Sequence, residues 1–242
     1  MSVFRFKKFS IVNERSAMKV NTDGVLLGAA MTICPDDRFL LDIGTGTGTI
    51  ALMAAQRLSS ESVSDYKIDA IDIDEPSATE AALNFKTSPW NGNLRAYNQP
   101  LHEFASSTYD MYDLIFSNPP YFEDSLTAPD ERKSTARHTS DGLSYRDIFE
   151  FAEKRLTENG RVSLVLPADQ EVALKRHAAT YGLHLFRILR IRTVPRKAPS
   201  RMIAEFSRGR CSCPDEGLLT IQNEGKYTSE YLSLTRDFYL FA

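Results

Sequence analysis

A glycine-rich link between an apolar run and a helical pattern is the feature that most constrains this fold. Residues 38–44, "RFLLDIG", form an apolar run typical of a buried strand, and residues 47–58 place apolar side chains at helical spacing. Three alternating glycines, Gly44, Gly46 and Gly48, lie at the junction. Glycine permits a sharp backbone turn and lets a ligand approach where a Cβ would collide. The stretch therefore predicts a strand, a ligand-facing turn and a helix.

The same alternation of apolar runs and helix-period segments continues through most of the chain. It predicts strands at 38–44, 66–74, 93–98, 111–117 and 161–167, and helices at 47–58, 75–88, 145–156 and 168–182. Such alternation builds a parallel sheet flanked by helices. Two further β-like runs, 183–194 and 201–208, flank the turn-rich "PRKAPS" and predict an antiparallel pair. The sequence thus predicts an α/β protein with a mostly parallel, seven-stranded sheet and an antiparallel strand pair near the C-terminus.

Composition and charge are those of an ordinary soluble globular protein. Of the 242 residues, 42% are hydrophobic and 25% are charged, and the formal net charge of −3 provides no global attraction to nucleic acid. No apolar run approaches the ~18 residues of a membrane span. Cys34, Cys211 and Cys213 lack the spacing of a zinc site and are expected to be reduced thiols. We expect one domain over residues 1–242, with a short C-terminal appendage at 209–242, located in the cytoplasm without a metal or a membrane contact.

The spacing of the glycines selects among nucleotide cofactors. It is G-x-G-x-G, whereas a dinucleotide fingerprint is G-x-G-x-x-G, and no G-K-[ST] follows as in a Walker loop. Asp42 would disfavour a pyrophosphate but suits a ligand with an amino group and a sulfonium cation. Asp72 ends the second predicted strand, where a carboxylate accepts hydrogen bonds from ribose hydroxyls, and Asp74 is placed to cap the next helix. S-adenosylmethionine is therefore the predicted cofactor, bound by the glycine loop, Asp42, Asp72 and the adjacent Ile73.

The segment "NPPY" follows the fourth predicted strand, at the same edge of the sheet as the glycine loop. An amine conjugated to a ring is a poor nucleophile because its lone pair is delocalised. The Asn118 side-chain oxygen and the Pro119 carbonyl can each accept one N–H and so orient the lone pair toward a methyl donor, while Pro119 and Pro120 stiffen the turn. Tyr121 is expected to stack on the planar group. We call this arrangement the amine clamp, and we expect Asn118 to contact the cofactor as well.

The motifs "DIGTGTG", "AIDID" and "SNPPYF", in this order, resemble those of class I methyltransferases that modify exocyclic amines. With "MKVNTDGVLLGA", "ARHT" and the ending "YTSEYLSLTRDFYLF", the chain is similar over nearly its whole length to the tRNA1(Val) (adenine(37)-N6)-methyltransferase family. The resemblance implies a Rossmann-like fold, S-adenosylmethionine as donor, and methylation of the adenosine next to the anticodon of a valine tRNA. It also implies that Thr22 and Asp23 precede a helix over the methionine end of the cofactor, within a cofactor-covering segment at 1–35.

The predicted contacts to the cofactor adenine and to RNA are spread over several residues. After the third strand the family usually has an acidic residue near the adenine, whereas this chain has Asn98 and Gln99, either of which can hydrogen-bond there. Eight basic residues and one acid lie between positions 187 and 210, a density that can track phosphates. The alternative is a solvated face of a β-hairpin. The candidate RNA contacts are Arg137, Arg192, Arg196, Lys197 and Arg201.

Three other functions share part of this pattern. Protein glutamine N5-methyltransferases also have "NPPY", because a side-chain amide presents a similar planar NH2. They resemble this chain in the core but carry a sizeable helical domain before the glycine loop, where only about forty residues stand here. A cofactor-binding or RNA-binding module with an inactive site is disfavoured by the intact clamp, and a dinucleotide oxidoreductase by the glycine spacing. tRNA is the one predicted partner, and nothing in the sequence indicates an obligate protein partner.

Overall fold

The computed structural model of this chain describes residues 2–120 and 143–242. Strands and helices alternate through the centre of the chain, as the periodicity predicts. The elements are, in chain order, β1 (Val3–Arg5), β2 (Ser10–Val12), α1 (Thr22–Ala30), β3 (Phe39–Ile43), α2 (Thr49–Ser60), β4 (Lys67–Asp72), α3 (Glu75–Lys86), β5 (Leu94–Asn98), α4 (Leu101–Ser107), β6 (Tyr112–Ser117), α5 (Tyr145–Arg155), β7 (Leu156–Pro167), a 3-10 turn (Ala168–Gln170), α6 (Glu171–Thr180), β8 (His184–Arg192), β9 (Arg201–Ser207), β10 (Asp215–Thr220), β11 (Gln222–Asn223), β12 (Lys226–Tyr227) and α7 (Ser229–Thr235).

The central sheet has the strand order β10-β8-β9-β7-β6-β3-β4-β5. All neighbouring pairs are parallel except those made by β9, which is antiparallel to both β7 and β8. The predicted α/β class, the mostly parallel sheet and the antiparallel pair are confirmed. The predicted number of seven strands is wrong, because β10 adds an eighth strand from within residues 209–242. Its sequence, "DEGLLT", is short and polar at its start, and it becomes a strand because β8 offers an unpaired edge.

Helices cover both faces of the sheet, and the buried side chains form two core clusters. One core contains Phe6 of the N-terminal hairpin together with apolar side chains of α1, α2, α3 and α7. The other contains apolar side chains of α4, α5 and α6, with Phe149 fully buried among them. Phe6 and Phe9, which alternate with basic residues, are 4% and 6% exposed, so this alternation serves packing.

The carboxyl ends of β3, β4 and β6 meet at one edge of the sheet. β3 lies between the other two, with Asp42 paired in register with Ala70 of β4 and with Phe116 of β6. Ligands bind at this edge in open α/β sheets. Asp74 caps α3 as predicted, since its Oδ2 accepts a hydrogen bond from Ser77 N at 3.0 Å. Within residues 2–120 and 143–242, no helix has the length and apolar character needed to cross a membrane.

Candidate active site

The turn between β3 and α2 contains three residues with positive φ. Gly44, Gly46 and Gly48 have φ angles of 72°, 55° and 79°, which glycine adopts without the steric cost of a Cβ. The amides of Gly44 and Thr45 donate to Ile71 O at 2.9 and 3.0 Å and so tie the loop to the end of β4. The predicted strand, turn and helix are confirmed.

Gly48 has a packing role that its spacing did not reveal. It is the N-terminal cap residue of α2, and a Cβ built on it would lie 2.5 Å from Cε1 of Phe85 in α3. A Cβ on Gly46 would meet only ordinary contacts, 3.6 Å from Ser16 Oγ. The third glycine therefore allows α2 and α3 to approach each other. A contact between Gly48 and the cofactor stays a prediction.

Asp72 links the end of β4 to the glycine loop. Its Oδ2 accepts from Gly46 N at 2.8 Å and its Oδ1 accepts from Asp74 N at 2.9 Å. Burial raises the pKa of Asp72 above its ordinary value, and these two amides act against the rise. Each carboxylate oxygen has a second lone-pair direction, so the two together can still accept hydrogen bonds from vicinal hydroxyls. The position suits the ribose contact that the sequence predicts.

Asp42 lies beneath the glycine loop rather than on its surface. The side chain is fully buried, and Thr45 Oγ1 donates to Oδ2 at 2.7 Å. Its Oδ1 has no hydrogen-bond partner within the part of the chain that the structure describes. Burial raises the pKa of Asp42 to about 7, with the Asp72 charge adding to the rise and the Thr45 hydroxyl opposing it. The buried side chain has no surface for direct contact with a cationic ligand, and a role of Asp42 in cofactor binding stays a prediction.

Ile73, Asn98 and Gln99 lie where the ends of β4 and β5 meet. Asn98 Nδ2 donates to the carbonyls of Asp72 and Ile73 at 3.1 and 3.0 Å, and Gln99 N donates to Asp72 O at 3.1 Å. The Asn98 amide nitrogen thus holds the turn, which limits that side chain to its oxygen as a group for the adenine. Ile73 is 71% exposed and offers an apolar face for a planar base.

Asn118 follows β6 directly beside the glycine loop. Ser117 Oγ donates to Ile43 O at 2.6 Å and fixes the end of β6 against β3. Asn118 is 7% exposed, and its Nδ2 donates to Met18 Sδ at 3.4 Å. The amide nitrogen is thereby turned toward Met18, an orientation that suits the accepting role predicted for the oxygen. Pro119 is buried and Pro120 is exposed, while Tyr121 and Arg137 lie outside the described residues.

The chain between β2 and α1 passes over the glycine loop. We call residues 12–20 the crossing segment. The Cβ position of Gly46 lies 3.6 Å from Ser16 Oγ and 3.7 Å from Met18 O, and Met18 in turn contacts Asn118. The crossing segment therefore connects the glycine loop with the amine clamp.

A polar face of α3 holds the crossing segment in place. Glu80 Oε1 accepts from the amides of Glu14 and Arg15 at 2.8 and 2.9 Å, and its Oε2 accepts from Ser16 N at 3.0 Å. Asn84 exchanges hydrogen bonds with the backbone of Val12 and donates to Thr47 O at 2.8 Å. The sequence reasoning missed these residues. The available signal was polar side chains at positions 77, 80 and 84 on the buried face of a helix.

Thr22 and Asp23 form the first turn of α1. Asn21 Oδ1 caps this turn by accepting from Gly24 N at 2.8 Å. Arg201 Nε, at the start of β9, donates to Asp23 Oδ2 at 2.9 Å. Asp23, which is predicted to contact the cofactor, is thus ion-paired with Arg201, which is predicted to contact RNA. Both side chains line the same cavity. Their separate roles stay predictions.

Most of the basic residues between positions 187 and 210 are bound within the protein. Most of their partners lie outside this stretch, so the local sequence could not show them. The contacts are Arg187 to Glu205 at 2.6 Å, Arg190 to Glu171 at 2.7 Å and to Glu216 at 2.8 Å, Arg192 to Thr220 Oγ1 at 2.8 Å, and Arg208 to Glu153 O at 2.7 Å. Arg196 and Lys197 are exposed in the loop between β8 and β9. Within residues 187–210, the hypothesis that basic side chains contact RNA phosphates is therefore best supported for the two residues of this loop.

A solved structure shares the fold. A predicted O-methyltransferase from Agrobacterium tumefaciens aligns with a TM-score of 0.64 at 15% identity, covering 89% of this chain and 96% of that chain. A likeness at this identity shows the fold alone. Together with the glycine loop and the position of Asp72, the fold defines a class I S-adenosylmethionine-dependent methyltransferase.

Sequence comparison resolves the family. The methyltransferase small domain model matches residues 16–179. The tRNA1(Val) (adenine(37)-N6)-methyltransferase of Bacteroides fragilis is 40% identical over 238 residues, which is 98% of this chain and 97% of that protein. The protein of the same name from Flavobacterium psychrophilum is 39% identical over 238 residues, 98% of this chain and 99% of that protein. The chain belongs to the tRNA1(Val) (adenine(37)-N6)-methyltransferase family, within the methyltransferases that carry the small domain.

The residues at this edge fit S-adenosylmethionine. Asp72 presents lone pairs for two hydroxyls, and Ile73 presents an exposed apolar face beside it. The carboxylate of Asp42 is buried, and a nearby cation would favour its ionised form. Within residues 2–120 and 143–242, no cluster of three or more metal-ligating side chains is present.

Proposed function

We propose that this protein transfers a methyl group from S-adenosylmethionine to N6 of adenine 37 in a valine tRNA. The observation that carries the proposal is the position of Asn118 and Pro119 at the carboxyl end of β6, directly beside the glycine loop that follows β3. The names of the relatives, which match over 98% of this chain, supply the substrate. The protein acts in the cytoplasm and needs no obligate protein partner.

The clamp residues prepare the amine for attack. When bound, S-adenosylmethionine supplies a methyl group on a cationic sulfonium, so no strong base is needed before the transfer. The Asn118 oxygen and the Pro119 carbonyl accept the two N–H groups of the exocyclic amine and direct its lone pair. Met18 holds the Asn118 nitrogen at 3.4 Å, so the amide stays in one orientation. Tyr121 stacks on the flipped base, and the surplus proton leaves to water after the transfer.

The crossing segment supports a cofactor-covering role for residues 1–35 within a single domain over 1–242. Ser16 and Met18 pass close to Gly46, and Glu80 holds that backbone from the side of α3. Because the crossing segment lies over the glycine loop, it excludes water from the reacting groups. Residues 209–242 act as a C-terminal appendage whose β10 completes the sheet.

The test compares the wild-type protein with Asn118→Ala on unmodified total tRNA with labelled S-adenosylmethionine. Digestion then identifies the labelled nucleoside. We expect N6-methyladenosine from the wild type and a rate at least about 10²-fold lower from the variant, since removal of one preorganised polar group at a reacting centre costs about that much. Asn91→Ala, at an exposed asparagine in the turn before β5, is the matched control and should keep the wild-type rate.

Calorimetric titration of Asn118→Ala with S-adenosylmethionine separates the two roles predicted for Asn118. Retained cofactor affinity with lost methylation supports the clamp. Unlabelled tRNA together with label on glutamine of a protein fraction would keep the clamp and refute the tRNA substrate. A variant as active as the wild type would refute the clamp itself.

A further inference from the structure

A cavity of about 360 Å³ lies at the carboxyl edge of the sheet, away from the amine clamp. The first turn of α1, the end of β8, the start of β9, the segment that leads into β11, and β12 with α7 form its walls. Arg201, on its wall, pairs with Pro167 of β7, and Leu164 of β7 pairs with Ser117 of β6. At about 4.8 Å per strand and 3.3 Å per residue, the Arg201 and Ser117 backbones are about 14 Å apart. The cavity is therefore close enough to receive a neighbour of the group held in the clamp.

Stacked aromatic rings stand at this cavity. The Tyr227 ring stacks on Tyr231 with centroids 4.9 Å apart and on Phe241 with centroids 5.3 Å apart. Tyr227 and Tyr231 line the cavity, and Tyr227 and Phe241 are 41% and 57% exposed. A single exposed aromatic residue is ordinary, but an aromatic cluster held in place at a cavity presents a preformed surface, the exposed part of Tyr227, against which another planar ring can pack.

The polar lining and the charge define the ligand further. Gln222 and Thr193 supply hydrogen-bond donors and acceptors to the cavity, as the edge of a nucleobase requires. Among the described residues that line the cavity, Asp23 is the one carboxylate, and Arg201 is paired with it at 2.9 Å. Arg196 and Lys197 are exposed in the loop between Thr193 and Ser200, both of which line the cavity. A ligand with a planar polar ring and a negative charge matches this surface.

We propose that this cavity binds a nucleotide of the RNA substrate that flanks the reacting adenine. The base packs against the exposed part of the Tyr227 ring and the edge of the base meets Gln222 and Thr193, while the phosphate lies toward Arg196 and Lys197. The subsite rests on the proposed function, because it presumes an RNA substrate. It fixes the register of the anticodon loop, since a second splayed base determines which adenine reaches the clamp.

The test measures the affinity of the protein for a labelled anticodon stem-loop RNA, with Tyr227→Ala, Tyr227→Phe and Tyr109→Ala. Loss of one contact between a base and an aromatic ring predicts a dissociation constant about 5- to 100-fold higher for Tyr227→Ala. Tyr227→Phe keeps the ring and should bind as the wild type does. Tyr109 is 83% exposed and precedes β6 at the opposite edge of the sheet, so Tyr109→Ala is the matched control and should change nothing. The affinity for S-adenosylmethionine should be unchanged in all three.

Hydrogen exchange on the wild-type protein gives an independent measurement, which decides the matter if Tyr227→Ala fails to fold. RNA should slow exchange at residues 221–231, and S-adenosylmethionine alone should not. Wild-type RNA affinity in a folded Tyr227→Ala, or unprotected amides at 221–231, would overturn the subsite. If Tyr227→Ala instead loses cofactor affinity, the cavity serves the cofactor and the proposal is refuted. A wild-type protein that neither binds nor methylates tRNA would instead refute the proposed function.

Discussion

Replacing Glu80 by glutamine tests whether the crossing segment governs cofactor binding. Glu80 is 3% exposed, and its carboxylate accepts three backbone amides of the segment. In Glu80→Gln one oxygen can still accept from Glu14 and Arg15, but the new amide group faces Ser16 N, another donor. Loss of one charge-assisted hydrogen bond with a buried donor left unpaired costs about 1–3 kcal/mol. The equilibrium between the attached and the detached segment then shifts by roughly 5- to 150-fold.

The assay is calorimetric titration with S-adenosylmethionine, combined with a thermal unfolding scan. Cofactor affinity should fall by up to about 100-fold, because only the attached fraction of molecules binds well. The unfolding midpoint should fall by about 2–10 °C for a chain of this size. Glu75→Gln, at an exposed position in the first turn of the same helix, is the control and should leave both measurements unchanged.

The pH dependence of stability tests the role of Glu80 in a second way. Burial alone would raise the pKa of Glu80, but the amides of Arg15, Ser16 and Glu14 outweigh it and hold the pKa below the ordinary value of 4.5. The contribution of Glu80 to stability is therefore complete above that value and is lost as the pH falls through the lowered pKa. Faster amide exchange at residues 14–16 in Glu80→Gln with wild-type cofactor affinity would refute the link between the segment and the cofactor site.

Three further predictions concern the glycine loop, the buried carboxylate and the basic loop. Gly48→Ala should destabilise the fold by about 2 kcal/mol or more, because alanine is strained at positive φ and its Cβ clashes with Phe85. In a double-mutant cycle measured by urea unfolding, Phe85→Leu should recover part of the lost stability. Undiminished stability with lost cofactor binding would instead make Gly48 a ligand contact. Burial raises the pKa of Asp42 from 3.8 to about 7, so between these values the folded state binds more protons and the free energy of unfolding falls as pH rises, by roughly 4 kcal/mol in all. Asp42→Asn should remove that slope in urea unfolding, and an unchanged slope would contradict the assignment. Joint replacement of Arg196 and Lys197 by alanine should reduce the slope of log affinity for tRNA against log salt by about 1.4, or 0.7 per phosphate contact, and an unchanged slope would place the phosphates elsewhere.

The sequence was most informative where function depends on local backbone geometry. The glycine turn, the Asp74 cap and the position of Asn118 follow from spacing along one stretch of chain, and the structure places all three as the periodicity predicts. The order of these motifs also placed Asp72 and Asn118 at one edge, because parallel strands share their carboxyl ends. β10 escaped prediction because its pairing depends on an edge that β8 provides.

Burial and pairing across the fold were decided by the tertiary structure alone. The sequence predicted that Asp42 contacts the cofactor and that residues 187–210 form a basic track, whereas the fold buries that acid and binds five of the seven arginines in the track within the protein, three of them to carboxylates. It could not show that Glu80 would bind the crossing segment, whose residues 14–16 are 64 to 66 positions earlier in the chain, and hold it over the glycine loop. A sequence motif specifies which groups can react and how the local backbone turns. Which charges are desolvated, paired or left to a ligand depends on neighbours that only the folded chain brings together.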